Sequence, residues 1–147
     1  MKKIFQLLLN PLLFFCLALT LQAQAPQIRL KGEKILVNNQ LYGYLVKHSS
    51  AWANDYSVHS TRDEELVYAK AINKEMANGH DYMYYEITFK GYQQKAEMDL
   101  ETEFGRKLAF EMAGYNMIKN DLLNPESVEK FLARFPPKIS RRLASDL

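Results

Sequence analysis

Thiols, a surplus of either charge and phosphate-cradling glycines are missing from the working part of this sequence. Its single cysteine, Cys16, lies in an apolar run near the start, behind Phe15 rather than the small residues that a lipid-modification site needs. With that run removed no thiol is left, which excludes disulfides, thiolate metal sites and a cysteine nucleophile. The chain carries 19 Lys and Arg against 17 Asp and Glu, and Lys2 and Lys3 account for the difference. The remainder is neutral, with cations gathered only at Lys138, Arg141 and Arg142. It offers no positive stripe to displace counterions from phosphates, so no nucleic-acid partner is expected. A Gly-x-Ser-x-Gly elbow and a glycine-rich loop for phosphate or dinucleotide are both absent.

Long hydrophobic runs are equally scarce. The one present follows Lys2 and Lys3, passes through Leu7–Leu9 and Leu12–Leu21, and closes on Leu21-Gln22-Ala23. A positive start, a short apolar core and a small residue at the cut make residues 1–23 a secretory signal peptide. Cleavage is predicted after Ala23, because a cut after Ala25 places Pro26 directly behind the scissile bond, where its ring restrains the backbone. Asn10-Pro11 breaks the run too early for a membrane span, so no stable anchor is expected once the leader is gone. The expected compartment is the periplasm or the exterior. What remains, 124 residues, suits one domain over residues 24–137, with 138–147 as a polar tail that adds little core.

The body of the chain changes period once. Between Gln27 and Glu101 it reads as short strands: Gln27–Lys31, Lys34–Val37, Gln40–Lys47, Asp55–Thr61, Glu65–Ile72, Asp81–Lys90 and Gln93–Leu100. Alternation is strictest in Asp81–Lys90, with Met83, Tyr85, Ile87 and Phe89 on one side and Tyr82, Tyr84, Glu86 and Thr88 on the other. Asn38-Asn39 is a two-residue hairpin turn, since Asn tolerates the left-handed backbone such turns demand. After Glu101 the spacing lengthens, and Phe104, Leu108, Met112, Tyr115, Ile118 and Leu122 predict one helix opened by Thr102. A second helix starts at Asn124-Pro125, presents Val128, Phe131, Leu132 and Phe135, and stops at Pro136-Pro137. The expected fold is therefore α+β: an antiparallel meander of about seven short strands followed by two C-terminal amphipathic helices packed on the sheet.

Chemistry is thinner than architecture. His48, His59 and His80 fit no short metal motif, so no metal and no cofactor are expected. A triad can be drawn from Ser57 or Ser60 with His59 and Asp55 or Asp63, but adjacent strand residues point to opposite faces, so Ser60 and His59 diverge. No catalytic residue is predicted. Glu97, Asp99 and Glu101 share a strand face, which a solvated sheet edge explains. Tyrosine is the least ordinary feature, and Tyr42, Tyr44, Tyr82 and Tyr84, with Trp52 in a loop, are the candidate binding residues. Such rings give rigid contact area with a polar handle.

Three stretches carry a resemblance: Gly32-Glu33-Lys34-Ile35-Leu36-Val37-Asn38-Asn39, Tyr56-Ser57-Val58 through Glu64-Glu65-Leu66-Val67-Tyr68-Ala69, and Leu122-Leu123-Asn124-Pro125-Glu126-Ser127-Val128-Glu129-Lys130-Phe131. In these the chain resembles small exported proteins of the Bacteroidota, whose leaders often end in Ala-Gln as Ala23-Gln24 does here. The resemblance implies an exported compartment and a strand-then-helix layout, and it brings no active site. The expected function is a non-catalytic binding module that holds an envelope protein or glycan on a tyrosine-bearing sheet face. Its rivals are a small envelope hydrolase using Glu97, Asp99 and Glu101 or a histidine–carboxylate cluster, and a self-associating structural protein.

Overall fold

Paired left-handed residues shape the first hairpin. Asn38 and Asn39 have φ of 52° and 64°, so both central positions of the turn lie in the region that Asn tolerates, and the strands on either side twist together. The computed structural model describes residues 25–49, 53–76 and 78–145. Its seven long-sheet strands are β1 Ile28–Lys31, β2 Lys34–Val37, β3 Gln40–His48, β4 Asp55–His59, β5 Glu65–Glu75, β6 Asp81–Phe89 and β7 Lys95–Asp99. They pair antiparallel in sequence order from β1 to β7, the meander that the strand rhythm predicts. Helix α1 spans Phe104–Gly114, a small hairpin joins β8 Ile118–Lys119 to β9 Leu122–Leu123, and α2 Pro125–Arg134 and α3 Ile139–Ser145 follow.

One face of the sheet is apolar because the alternation demands it. Ile35, Val58, Val67, Ala69, Tyr85, Ile87, Phe89, Ala96 and Met98 form a buried cluster with Phe104, Leu108, Met112, Val128 and Phe131 from the helices. Tyr85 and Phe104 stack with centroids 3.5 Å apart and planes 7° from parallel. Phe131 meets Phe89 and Tyr115 edge-on, each at 5.6 Å. Burying each such ring contributes about 1.5–3 kcal/mol, so the C-terminal helices are the other half of the core.

Three expectations need correction. The helix predicted through Leu122 ends at Gly114 in a Schellman motif: Met117 N–H reaches Met112 O, Asn116 N–H reaches Ala113 O, and Asn116 adopts φ 51°. Ile118 and Leu122 therefore belong to the β8–β9 hairpin, turned by Asn120 and Asp121 at φ 53° and 60°. The residue that opens α1 is Glu103 at φ 60°, without a side-chain cap, and not Thr102. The polar tail is ordered as α3, whose Leu143 is buried and whose first amides, Ile139 and Ser140, donate to Glu97 Oε2 at 2.7 and 3.0 Å.

The last correction places Glu97 as well. Phe135 O accepts Glu97 N–H at 3.0 Å, so the chain crosses the β7 edge between α2 and α3. Helix α3 then lies over β6–β7 on the face opposite the core, with the Arg142 guanidinium 5.3 Å from the ring centre of Tyr82. Glu97, expected on a solvated edge, is buried as the cap of that helix.

Candidate functional site

The tyrosines predicted to share an exposed face do not share one. A bulge between Ile35 and Leu36 in the β2–β3 ladder displaces Tyr42 out of alternation. Its hydroxyl accepts Ile118 N–H at 2.7 Å and donates to Met112 O at 2.9 Å, tying β3 to the end of α1. Burial pushes that phenol up to about 12. Tyr84 is only 5% exposed, beside Glu97, and burial raises its phenol too. Tyr82 donates to Asp99 at 2.7 Å beneath Arg142, and Tyr44 stays half-buried opposite His59. Trp52 lies outside the described residues.

What β3, β4 and β5 gather instead is a chain of hydrogen bonds on the face away from the core. Ser57 and His59 stand two apart on β4, so their side chains share a face, and the Ser57 Oγ to His59 Nε2 distance is 2.8 Å. His48, at the end of β3, brings its Nε2 to within 2.8 Å of the same Oγ. On the far side of His59, Nδ1 meets Asp63 Oδ1 at 2.9 Å. Glu65 holds a carboxylate oxygen 3.9 Å from His59 Nε2.

One set of proton positions aligns this chain from end to end. The Asp63 carboxylate only accepts, so His59 Nδ1 carries the hydrogen, and Nε2 is the acceptor in the tautomer that carries none there. Ser57 has one hydroxyl proton, which goes to His59. His48 Nε2 must then be the donor to Oγ. The result runs His48 to Ser57 to His59 to Asp63, with the serine hydroxyl aimed at a base whose other nitrogen is held by a carboxylate. These are the atom-by-atom relations of a nucleophile, its base and the group that orients the base.

Each member is held from behind. Asp63 sits at φ 63° in the β4–β5 turn, where the Ser60 hydroxyl accepts from Arg62 and Glu64 N–H. Asp121 pins the same turn to the β8–β9 hairpin by accepting from Thr61 and Arg62, and the Thr61 hydroxyl holds its carboxyl below the usual range. Asp55 accepts Ala71 N–H at 2.8 Å and the Tyr68 hydroxyl at 2.9 Å, and the Tyr68 ring lies 5.8 Å from that of His48. Burial, then the bond to Asp55, raises the Tyr68 phenol. Ser57 is fully buried between the two imidazoles, while the Asp63 side chain is 81% exposed. His80 lies in the exposed β5–β6 connection and joins none of this.

Of the residues from which a triad could be drawn, Ser60 and Asp55 turn to other partners: the Ser60 hydroxyl accepts from the turn amides, and Asp55 accepts from Ala71 and Tyr68. Alternation suffices to set Ser57 with His59, whereas His48 becomes visible only through the β3–β4 register, which sets Val46 against Ser57 and His48 against Asp55. Among the described residues no group of three or more His, Cys, Asp or Glu is arranged to hold a metal, and no helix is long and apolar enough to cross a membrane. No protein-family model, curated protein or solved structure matches this chain.

Proposed function

We propose that the mature chain is an exported binding module that holds an envelope protein or glycan on the outer face of β3–β5. One observation carries this reading. Helices α1 and α2 supply the core on one side of the sheet and α3 lies over β6–β7, leaving the β3–β5 side with Tyr44, His48, His59, Tyr68 and Lys70 in place of an apolar layer. Half-buried aromatic and imidazole rings set among polar groups offer flat contact area together with donors and acceptors. A hydrolase built on Glu97, Asp99 and Glu101 loses its support, because the Glu97 carboxylate is occupied by the first amides of α3.

The test uses the chain from Gln24 onward. Purified protein is incubated with envelope extract and, separately, with insoluble cell-wall glycan, beside the variants Tyr44→Ala and Lys70→Glu. Retention of the parent and at least a tenfold loss in both variants supports the reading. Retention that survives both substitutions takes this face out of it. Amino-terminal sequencing of the protein from a periplasmic fraction should begin at Gln24, and an intact Met1 terminus would refute export by a cleaved leader.

A further inference from the structure

We propose that Ser57 is an activated nucleophile that accepts an acyl or phosphonyl group from small uncharged esters. His48 and His59 also belong to the proposed binding face, but acyl transfer is read at one oxygen atom, so its failure is distinguishable from loss of binding. Four observations meet there. Ser57 Oγ lies 2.8 Å from His59 Nε2, and His59 Nδ1 lies 2.9 Å from Asp63, so a base and its orienting carboxylate are in place. In the tautomer with Nδ1–H toward Asp63, His59 Nε2 is free to take the serine proton. Asp63 is held in its left-handed turn by the contacts of Ser60 and Asp121 described above, so the base keeps its tautomer. Ser57 is buried while the carboxylate end of the chain faces solvent. Burial around the hydroxyl strengthens the pull of the base.

In the step itself, Oγ attacks the carbonyl carbon, its proton passes to His59 Nε2, and the imidazolium is steadied by Asp63. The carbon–oxygen bond to the leaving alcohol then breaks, and that alkoxide takes the proton from Nε2. The product is an acyl serine, which water releases by the same transfers in reverse order. His48 sets the reagent's size: its ring is half-buried at the last pair of the β3–β4 ladder and covers Oγ from the opposite side. Because Ser57 is fully buried, the His48 ring must swing aside to admit a reagent, which favours a small one. Charge selects as well, because the exposed carboxylates of Asp63 and Glu65 flank His59 and repel anionic esters.

The experiment treats the mature protein with a small alkyl fluorophosphonate and follows intact mass, then maps the modified peptide. Attack at phosphorus forms the Oγ–P bond and expels fluoride, so one stable adduct on Ser57 is expected. Ser57→Ala must abolish it. Asp63→Asn is the decisive variant, because Asn is at home at φ 63° and the position is solvent-exposed, so the fold survives, as a melting curve verifies. It should slow labelling about tenfold or more, the scale of a misoriented general base. No adduct on Ser57, or labelling unchanged by Asp63→Asn in a folded protein, overturns the proposal.

Discussion

Two glycines test the packing with opposite signs. Gly43 sits in β3 opposite Ile35, and a methyl group there meets the carbonyl oxygen of His59 well inside 3.0 Å, a separation real Cβ atoms essentially never show. The obstacle is backbone, tied into the neighbouring ladder where Tyr44 faces His59, and Ile118 Cδ1 stands behind it at 3.5 Å. The carbonyl cannot swing away, so β3 and β4 must part. Gly43→Ala should cost about 2–3 kcal/mol, the upper part of the overpacking range, and lower Tm by roughly 6–15 °C in a domain of this size. Gly114, at the end of α1, has nothing within 4 Å of its missing Cβ. There an alanine restricts the unfolded chain and favours the helix, so Gly114→Ala should stabilise by about 0.4–1 kcal/mol. Urea and thermal unfolding of both variants beside the parent is the assay. A Gly43→Ala protein that melts with the parent, or a Gly114→Ala protein that falls with it, would show that the strand and helix positions described above are wrong.

Three further outcomes are expected. Glu97→Ala leaves the Ile139 and Ser140 amides without their acceptor, and should cost about 2 kcal/mol; hydrogen exchange should quicken at residues 139–145 first, and uniform exchange would refute the capping role. Tyr42 is raised from 10.0 to about 12 in the folded protein, which favours the neutral phenol. Its contribution is therefore complete below pH 10 and lost as pH climbs to 12, an amount up to about 2–3 kcal/mol; Tyr42→Phe should be less stable at neutral pH yet fall less steeply across that window, and an unchanged alkaline slope would refute the burial of its hydroxyl. A fragment of residues 24–101 should be unfolded, because it lacks Phe104, Leu108, Met112, Val128 and Phe131; a soluble fragment with a cooperative melt would show the sheet to be self-sufficient.

The strand-then-helix order was legible because period two and period 3.6 leave different marks on a sequence. Asp81–Lys90 and the Asn38-Asn39 turn stood out for that reason. The over-extended first helix shows where periodicity misleads: Ile118 and Leu122 fall at helical spacing, yet a left-handed Asn116 had already closed the helix. Asn120-Asp121 repeats the signal of Asn38-Asn39 and could have revealed the second hairpin. The candidate site was half legible. Ser57 and His59 at i and i+2 need only alternation, and Asp63 needs only the turn, but His48 depends on the β3–β4 register, a long-range fact. Tyr42 and Glu97 were misplaced for the same kind of reason. A bulge turned one inward, and a helix more than forty residues downstream covered the other.

The order of synthesis gives the meander a further meaning. Every strand pairs with its chain neighbour, so hairpins can close as they emerge, but the lid over their greasy side is made last and Phe131 is among its final pieces. A nascent chain therefore presents an uncovered sheet surface until nearly all of it has left the ribosome. Such a polypeptide stays pliant through its own manufacture, and commits to its final form only as a whole.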